Sequence, residues 1–113
     1  MIPDEIYLAK FPYGDTAGMK LRPVLLLTGR IGAVPEVLVA YISSIVPSAI
    51  LPSDILVDPS ATEYSSTNLK TTSVIRLHKL ATIHVSSVVR RVGVLSDQAA
   101  TTVDDKLRTL LKL

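Results

Sequence analysis

Arg22 stands directly before Pro23 and the unbroken apolar run Val24-Leu25-Leu26-Leu27, and it follows a stretch holding Gly14, Gly18 and Lys20. A permanently charged guanidinium is thereby expected where a strand meets its loop. Two further polar sets occupy comparable places: Ser43-Ser44 closes the apolar run from Val37 to Ile42, and Arg76 alternates with His78 along Val74-Ile75-Arg76-Leu77-His78. Arginine, hydroxyl and imidazole suit a phosphate ester. A planar guanidinium holds two phosphate oxygens at once and stays charged at any working pH. A serine hydroxyl can donate to a nonbridging oxygen or hold a ribose, and an imidazole exchanges protons near neutrality. Cleavage of RNA by its own 2′-hydroxyl needs that proton removed, the departing 5′-oxygen protonated and charge on the pentacoordinate phosphorus neutralised. Neither a metal nor a protein nucleophile is required. Each residue also has a plainer reading: arginines before strands are commonly solvated or salt-bridged, and serines that end strands are commonly turn formers.

Other catalytic signatures are missing from the sequence. There is no Gly-x-Ser-x-Gly elbow, no phosphate-binding Gly-Lys-Ser loop and no His-Glu-x-x-His helix, and His78 and His84 fit no standard metal spacing. With no cysteine, a disulfide framework and thiolate zinc sites are excluded, which fits a reducing compartment. The start Met1-Ile2-Pro3-Asp4-Glu5 is acidic and unlike a signal peptide, so the cytoplasm is the expected location. No apolar stretch approaches the roughly 20 residues that span a bilayer, so no membrane association is expected. The 113 residues suit one domain, and a mean hydropathy of +0.40 suggests surface hidden by oligomerisation.

The net charge of +2 is uninformative, but its distribution is not. Between Tyr64 and Leu95 stand Lys70, Arg76, Lys79, Arg90 and Arg91 with no acid, whereas Glu36, Asp54, Asp58 and Glu63 precede them without a cation. Joined by Lys20 and Arg22, the basic segment would attract a polyanion. Phe11 and four tyrosines are the only aromatics, so base stacking on an aromatic platform is poorly supported.

Short apolar runs separated by Gly, Pro, Asn and Ser predict antiparallel strands over 5–11, 22–28, 36–45, 55–58, 72–77 and 88–95, too closely spaced for βαβ crossovers. The second and third are apolar on both alternating faces, so each needs cover on both sides, and a second subunit is one candidate for that cover. Arg90 and Arg91 must lie on opposite faces of their strand, and only one of them need be functional. Residues 65–70 allow at most a loop or a serine-capped turn. Ile50 and Leu51, in an apolar loop between prolines, would mark a contact surface. From Ser96, a capping serine, Asp97 and the stripe Val103, Leu107, Leu110 and Leu111 predict one amphipathic helix.

The order of these parts resembles the MazF/PemK-like toxins of type II toxin–antitoxin systems over nearly the whole chain. The resemblance lies in Gly14 to Gly18 leading into Lys20-Leu21-Arg22-Pro23-Val24-Leu25-Leu26-Leu27, then Val39-Ala40-Tyr41-Ile42-Ser43-Ser44. It continues in Ser73-Val74-Ile75-Arg76-Leu77-His78-Lys79-Leu80-Ala81-Thr82-Ile83 and the closing Arg90-Arg91-Val92-Gly93-Val94-Leu95-Ser96. It implies a mainly β fold, a small SH3-like antiparallel barrel of the CcdB/PemK type with a C-terminal helix, spanning residues 1–113 as one toxin domain. It further implies a homodimeric, metal-independent and cofactor-free endoribonuclease that cuts single-stranded RNA and is held by a cognate antitoxin. The family's catalytic arginine and the assisting hydroxyl correspond to Arg22 and Ser43, with Ser44 adjacent. The arginine and the acid two positions later, which some members use as acid and base, fall on Arg76 and His78. Lys20, Ser44 and Lys79 are expected to bind RNA. The sequence departs twice from the pattern: the acid has become His78, and Ala17 precedes Gly18 where many members carry an acid or glutamine. The alternative is a family member that binds protein or nucleic acid without cutting.

Overall fold

The computed structural model describes residues 1–10 and 20–113. Phe11, the glycines Gly14 and Gly18, and Ala17 lie outside the described residues, so expectations placed on them are neither met nor missed. Six strands are formed: β1 (Glu5–Lys10), β2 (Leu21–Leu26), β3 (Glu36–Ser43), β4 (Asp54–Val57), β5 (Ser73–His84) and β6 (Val88–Val94). They make one antiparallel sheet in the order β4-β5-β3-β2-β1-β6, and a single helix, α1 (Asp97–Leu111), follows them. The mainly β class with a C-terminal helix is thus as expected, but the sheet is open: its outer strands β4 and β6 are not paired.

The outer edge of β6 is covered rather than paired. A 3₁₀ helix over Thr62–Thr67 leads into Asn68, and its side chains take the carbonyls of β6: Ser66 Oγ donates to Val94 O at 2.7 Å and Asn68 Nδ2 donates to Val92 O at 3.0 Å. Side-chain bonds from a covering segment blunt this edge in place of another strand. This helix begins earlier than expected and Ala61 at its start offers no side-chain cap; Ser65 instead donates to Thr62 O. Gly93 makes the close approach feasible, because a Cβ there would lie within 3.0 Å of the Thr67 and Ser66 carbonyl oxygens. Gly93→Ala is therefore expected to push the 3₁₀ helix off β6 and cost about 1–3 kcal/mol of stability, read as a lower urea midpoint in equilibrium unfolding.

Strand alternation divides the apolar residues between two clusters. Ile6, Leu25, Ala40, Ile42, Ile55, Val57, Ile75 and Leu77 pack on one face against Leu95, Ala99 and Val103 from the helix region. Ala9, Val24, Leu26, Val37, Val39 and Ile83 form the second cluster on the opposite face, with Met1, Tyr7, Tyr41, Ala81, Val85 and Val88 packed around it. Val24, Leu26, Val37 and Val39 are fully buried within the one chain. The doubly apolar strands therefore need no second subunit to cover them, and β2 lies inside the sheet between β3 and β1. At about 1.5–3 kcal/mol for each fully buried side chain of this size, both clusters contribute substantially to holding the central strands.

Helix α1 starts as its sequence predicts, with Ser96 Oγ accepting the Ala99 amide at 3.2 Å and its hydroxyl donating to Glu63 O at 2.9 Å. Ala99 and Val103 are buried and Leu107 packs beside them, but Leu110 and Leu111 are 36% and 52% exposed, Leu110 lining a groove with residues 51–53 and His78. Strand β5 is twice as long as expected, and its pairing with β3 jumps from Ala40↔Leu80 to Tyr41↔Arg76. Leu77, His78 and Lys79 are thereby left in a bulge. Ile50 and Leu51 are exposed, the condition under which they would mark a contact surface.

Candidate functional site

The register of β2 and β3 decides where Arg22 and Ser43 meet. Val24 pairs with Tyr41, and continuing that antiparallel register sets Arg22 opposite Ser43. Leu25, Ala40 and Ile42 pack toward α1, so Arg22, Val24, Tyr41 and Ser43 belong to the face away from the helix. Arg22, Pro23, Tyr41, Ile42, Ser43, Ser44 and Ile45 together line a small hollow of about 80 Å³. Its size suits a phosphate group rather than a whole nucleotide.

Arg22 is partly buried and has no hydrogen-bonding or ion-pair partner among the described residues. An uncompensated guanidinium beside neutral hydroxyls is an arrangement that favours an anion. The Ser43 hydroxyl serves a turn in this state, accepting the Ile45 amide at 3.1 Å and donating to Ile45 O at 3.2 Å. That donor can swing to a ligand oxygen while the amide bond to Ile45 stays intact.

One step along the sheet, Tyr41 pairs with Arg76, and Arg76 with Asp54. With neighbouring strands about 4.8 Å apart and a two-residue advance of about 6.8 Å, the backbones at Ser43 and Arg76 are roughly 8 Å apart on one face. Arg76 is held there by a charge-assisted bond, its Nε donating to Asp54 Oδ1 at 2.8 Å. The Asp54 side chain is fully buried, and its second oxygen accepts the Leu51 amide at 2.9 Å. His78 Nδ1 stands 3.9 Å from Asp54 Oδ1, beyond hydrogen-bond range but within that of an ion pair when the imidazole is protonated.

His78 is not brought into the Arg22 hollow. Its side chain, 31% exposed, opens into a larger groove of about 570 Å³ between residues 51–53 and Asp105, Lys106, Thr109 and Leu110 on α1. Lys79 does not line the hollow but lies over Tyr41, which does, its Nζ 6.0 Å from the ring centroid. Lys20 and Ser44 are exposed, and Ser44 lines the hollow.

Asp54 is the residue that sequence reasoning passed over, counting it only as part of an acidic stretch. A signal was present: it stands among Ile50, Leu51, Ile55, Leu56 and Val57, and an acid in so apolar a setting needs a cationic partner once buried. The two adjacent arginines separate as alternation requires. Arg91 Nε donates to Glu5 Oε2 at 2.6 Å, whereas Arg90 has no partner among the described residues. Burial works against the Glu5 charge, yet the bonds from Arg91 and from the Ile2 amide outweigh it and hold this carboxyl below the usual range. Among the described residues no three of His, Asp and Glu gather as a metal site would need, and no helix is long and apolar enough to cross a membrane.

The fold has solved counterparts. One is the Mycobacterium tuberculosis toxin MazF-mt6, 24% identical, with a TM-score of 0.73 over 96% of this chain and 97% of that one. An endoribonuclease in complex with its cognate antitoxin from a mycobacterial species, 15% identical, superposes with a TM-score of 0.72 over 100% of this chain and 96% of its own. MazF from Deinococcus radiodurans, 14% identical, gives 0.66 over 99% and 96%. Identities this low speak for the fold alone. No curated protein sequence matches the chain. The family model for the PemK-like, MazF-like toxin of type II toxin–antitoxin systems, however, matches residues 3–111. With the sheet order, the C-terminal helix and this near-complete match in agreement, the chain belongs to the PemK-like, MazF-like toxin family.

Proposed function

We propose that residues 1–113 form one toxin domain that cleaves single-stranded RNA without a metal, through attack of the 2′-hydroxyl on its neighbouring phosphate, and so stops translation and growth. The observation that carries this reading is the Arg22 guanidinium, without a partner among the described residues, sharing a phosphate-sized hollow with Ser43. Arg22 grips the nonbridging oxygens and neutralises charge as the pentacoordinate phosphorus forms. Ser43 turns its hydroxyl from Ile45 O to the same phosphate, and Ser44 stands beside it. Arg76, steadied through Nε by Asp54, keeps its terminal nitrogens for the phosphate or the departing oxygen. Lys20 and Lys79 supply attraction for the backbone.

His78 takes the place of the family's acid, and proton transfer is assigned to it with Asp54 as its neighbouring counter-charge. His78→Ala is expected to lower the cleavage rate at saturating RNA more than it weakens RNA binding, measured by single-turnover kinetics beside equilibrium titration. An unchanged rate would make His78 a bystander.

The protein works in this reading as a cytoplasmic homodimer, restrained by an antitoxin whose acidic, partly disordered tail competes for the basic surface. The mycobacterial endoribonuclease solved with its cognate antitoxin supports such a partner. A second reading, binding without cleavage, is favoured by one observation: His78 opens into a groove other than the Arg22 hollow. Induction in a host followed by mapping of RNA ends by primer extension separates the two. New ends that vanish with Arg22→Ala support the nuclease. Purified protein that leaves single-stranded RNA intact with and without EDTA supports the binder.

A further inference from the structure

On the other face of the sheet, at the same end of β2 and β3, lies a second hollow of about 390 Å³. Leu8, Leu69 and Val92 give it apolar walls, and Lys70 and Arg90 both line it. Both cations are exposed, and among the described residues neither has a partner and no acid lines the hollow. Pro23 and Ser44 belong to this hollow and to the Arg22 hollow alike, so the two meet over a shared rim. Of the five cations in the basic segment, Arg76 and Arg91 are tied to Asp54 and Glu5 and Lys79 lies over Tyr41. The remaining two, Lys70 and Arg90, converge here.

We infer that this second hollow is the subsite for the nucleotide next to the scissile phosphate, with Lys70 and Arg90 holding its phosphate and the apolar walls receiving its base. The inference rests on the proposed ribonuclease reading and deepens it. Single-stranded RNA fits because a flexible strand can bend over the Pro23–Ser44 rim from one face of the sheet to the other, which a duplex cannot do. Aliphatic walls replace the aromatic platform that the composition lacks. Asn68 adds a means of reading a base edge: its Nδ2 is committed to Val92 O, and its Oδ1, which takes no bond from another described residue, can accept from an exocyclic amino group.

The test is fluorescence titration with a short single-stranded 2′-O-methyl RNA, which binds but lacks the attacking hydroxyl. Lys70→Gln and Arg90→Gln are each expected to weaken binding several-fold, with the two together costing tenfold or more. The slope of log affinity against log salt should fall by about 0.7 for each cation removed. Arg30→Gln, the same charge change at an exposed position outside both hollows, should leave affinity and slope near wild type. On cleavable RNA the two variants should raise KM with kcat retained. Wild-type affinity in Lys70→Gln and Arg90→Gln, or an equal loss in Arg30→Gln, overturns the subsite, as does loss of affinity for a poly-glutamate peptide with RNA affinity unchanged. If the probe binds as expected but wild type leaves cleavable RNA intact, the nuclease reading fails, and with it the place beside a scissile phosphate, while the hollow is kept only as an RNA-binding site. If wild type cleaves while the variants bind normally, the subsite alone falls.

Discussion

Arg22→Ala is expected to reduce RNA cleavage about 100- to 1,000-fold while leaving the protein folded. The magnitude follows from removing one preorganised charge from a developing oxyanion, which costs about 2.7–4 kcal/mol of transition-state stabilisation. The fold should survive because the guanidinium makes no hydrogen bond or ion pair with another described residue. Deleting it therefore strands no buried partner, and thermal unfolding should stay close to wild type. Arg22→Lys separates charge from geometry: a point charge cannot hold two oxygens in one plane, so it should recover only part of the lost rate. Cleavage rates on a defined single-stranded RNA, measured with circular dichroism on the same samples, decide the matter. A fully active Arg22→Ala would remove the basis of the nuclease reading.

Asp54→Ala is expected to act through stability. Its carboxylate is fully buried, accepts the Leu51 amide and takes the Nε of an Arg76 side chain that is itself only 16% exposed. Removing one member of a buried pair leaves the other charge without its counter-ion and costs about 3–5 kcal/mol. At roughly 4–8 °C per kcal/mol in a domain of this size, the thermal midpoint should fall by more than ten degrees. The physical cause is checked by the double variant Asp54→Ala with Arg76→Met, which removes both charges and should recover most of the loss. Calorimetry on the four proteins of the cycle reads the coupling directly. Additive losses would show that the pair has no special role in holding β4 against β5.

Much of the site was legible from local sequence because it depends on local chemistry. Arg22-Pro23 before an apolar run fixed a strand start with a cation on it, and Ser43-Ser44 ended a strand because serine competes well for turn bonds. Ser96 capped α1 as its type suggests. The stripe on α1 is legible in the sequence as a periodicity but not as a contact: Leu110 and Leu111 keep the helical spacing yet stay exposed. Strand β5 outruns the span that alternation predicts, because its bulge at Leu77 to Lys79 breaks the two-residue period.

The sequence by itself determined the antiparallel β class, the helix at the end, the two faces of each central strand and the residue types capable of handling a phosphate. These follow from side-chain alternation, capping and charge, which act over a few residues. Only the tertiary structure decided which distant groups became neighbours. The β2–β3 register set Arg22 against Ser43, and the β4–β5 register set the overlooked Asp54 against Arg76. Likewise, only the fold packs the 3₁₀ helix against Gly93 on the outer edge of β6, in a sheet that stays open. Register joins residues far apart in the chain through the burial of a whole sheet, so no short window of sequence contains it.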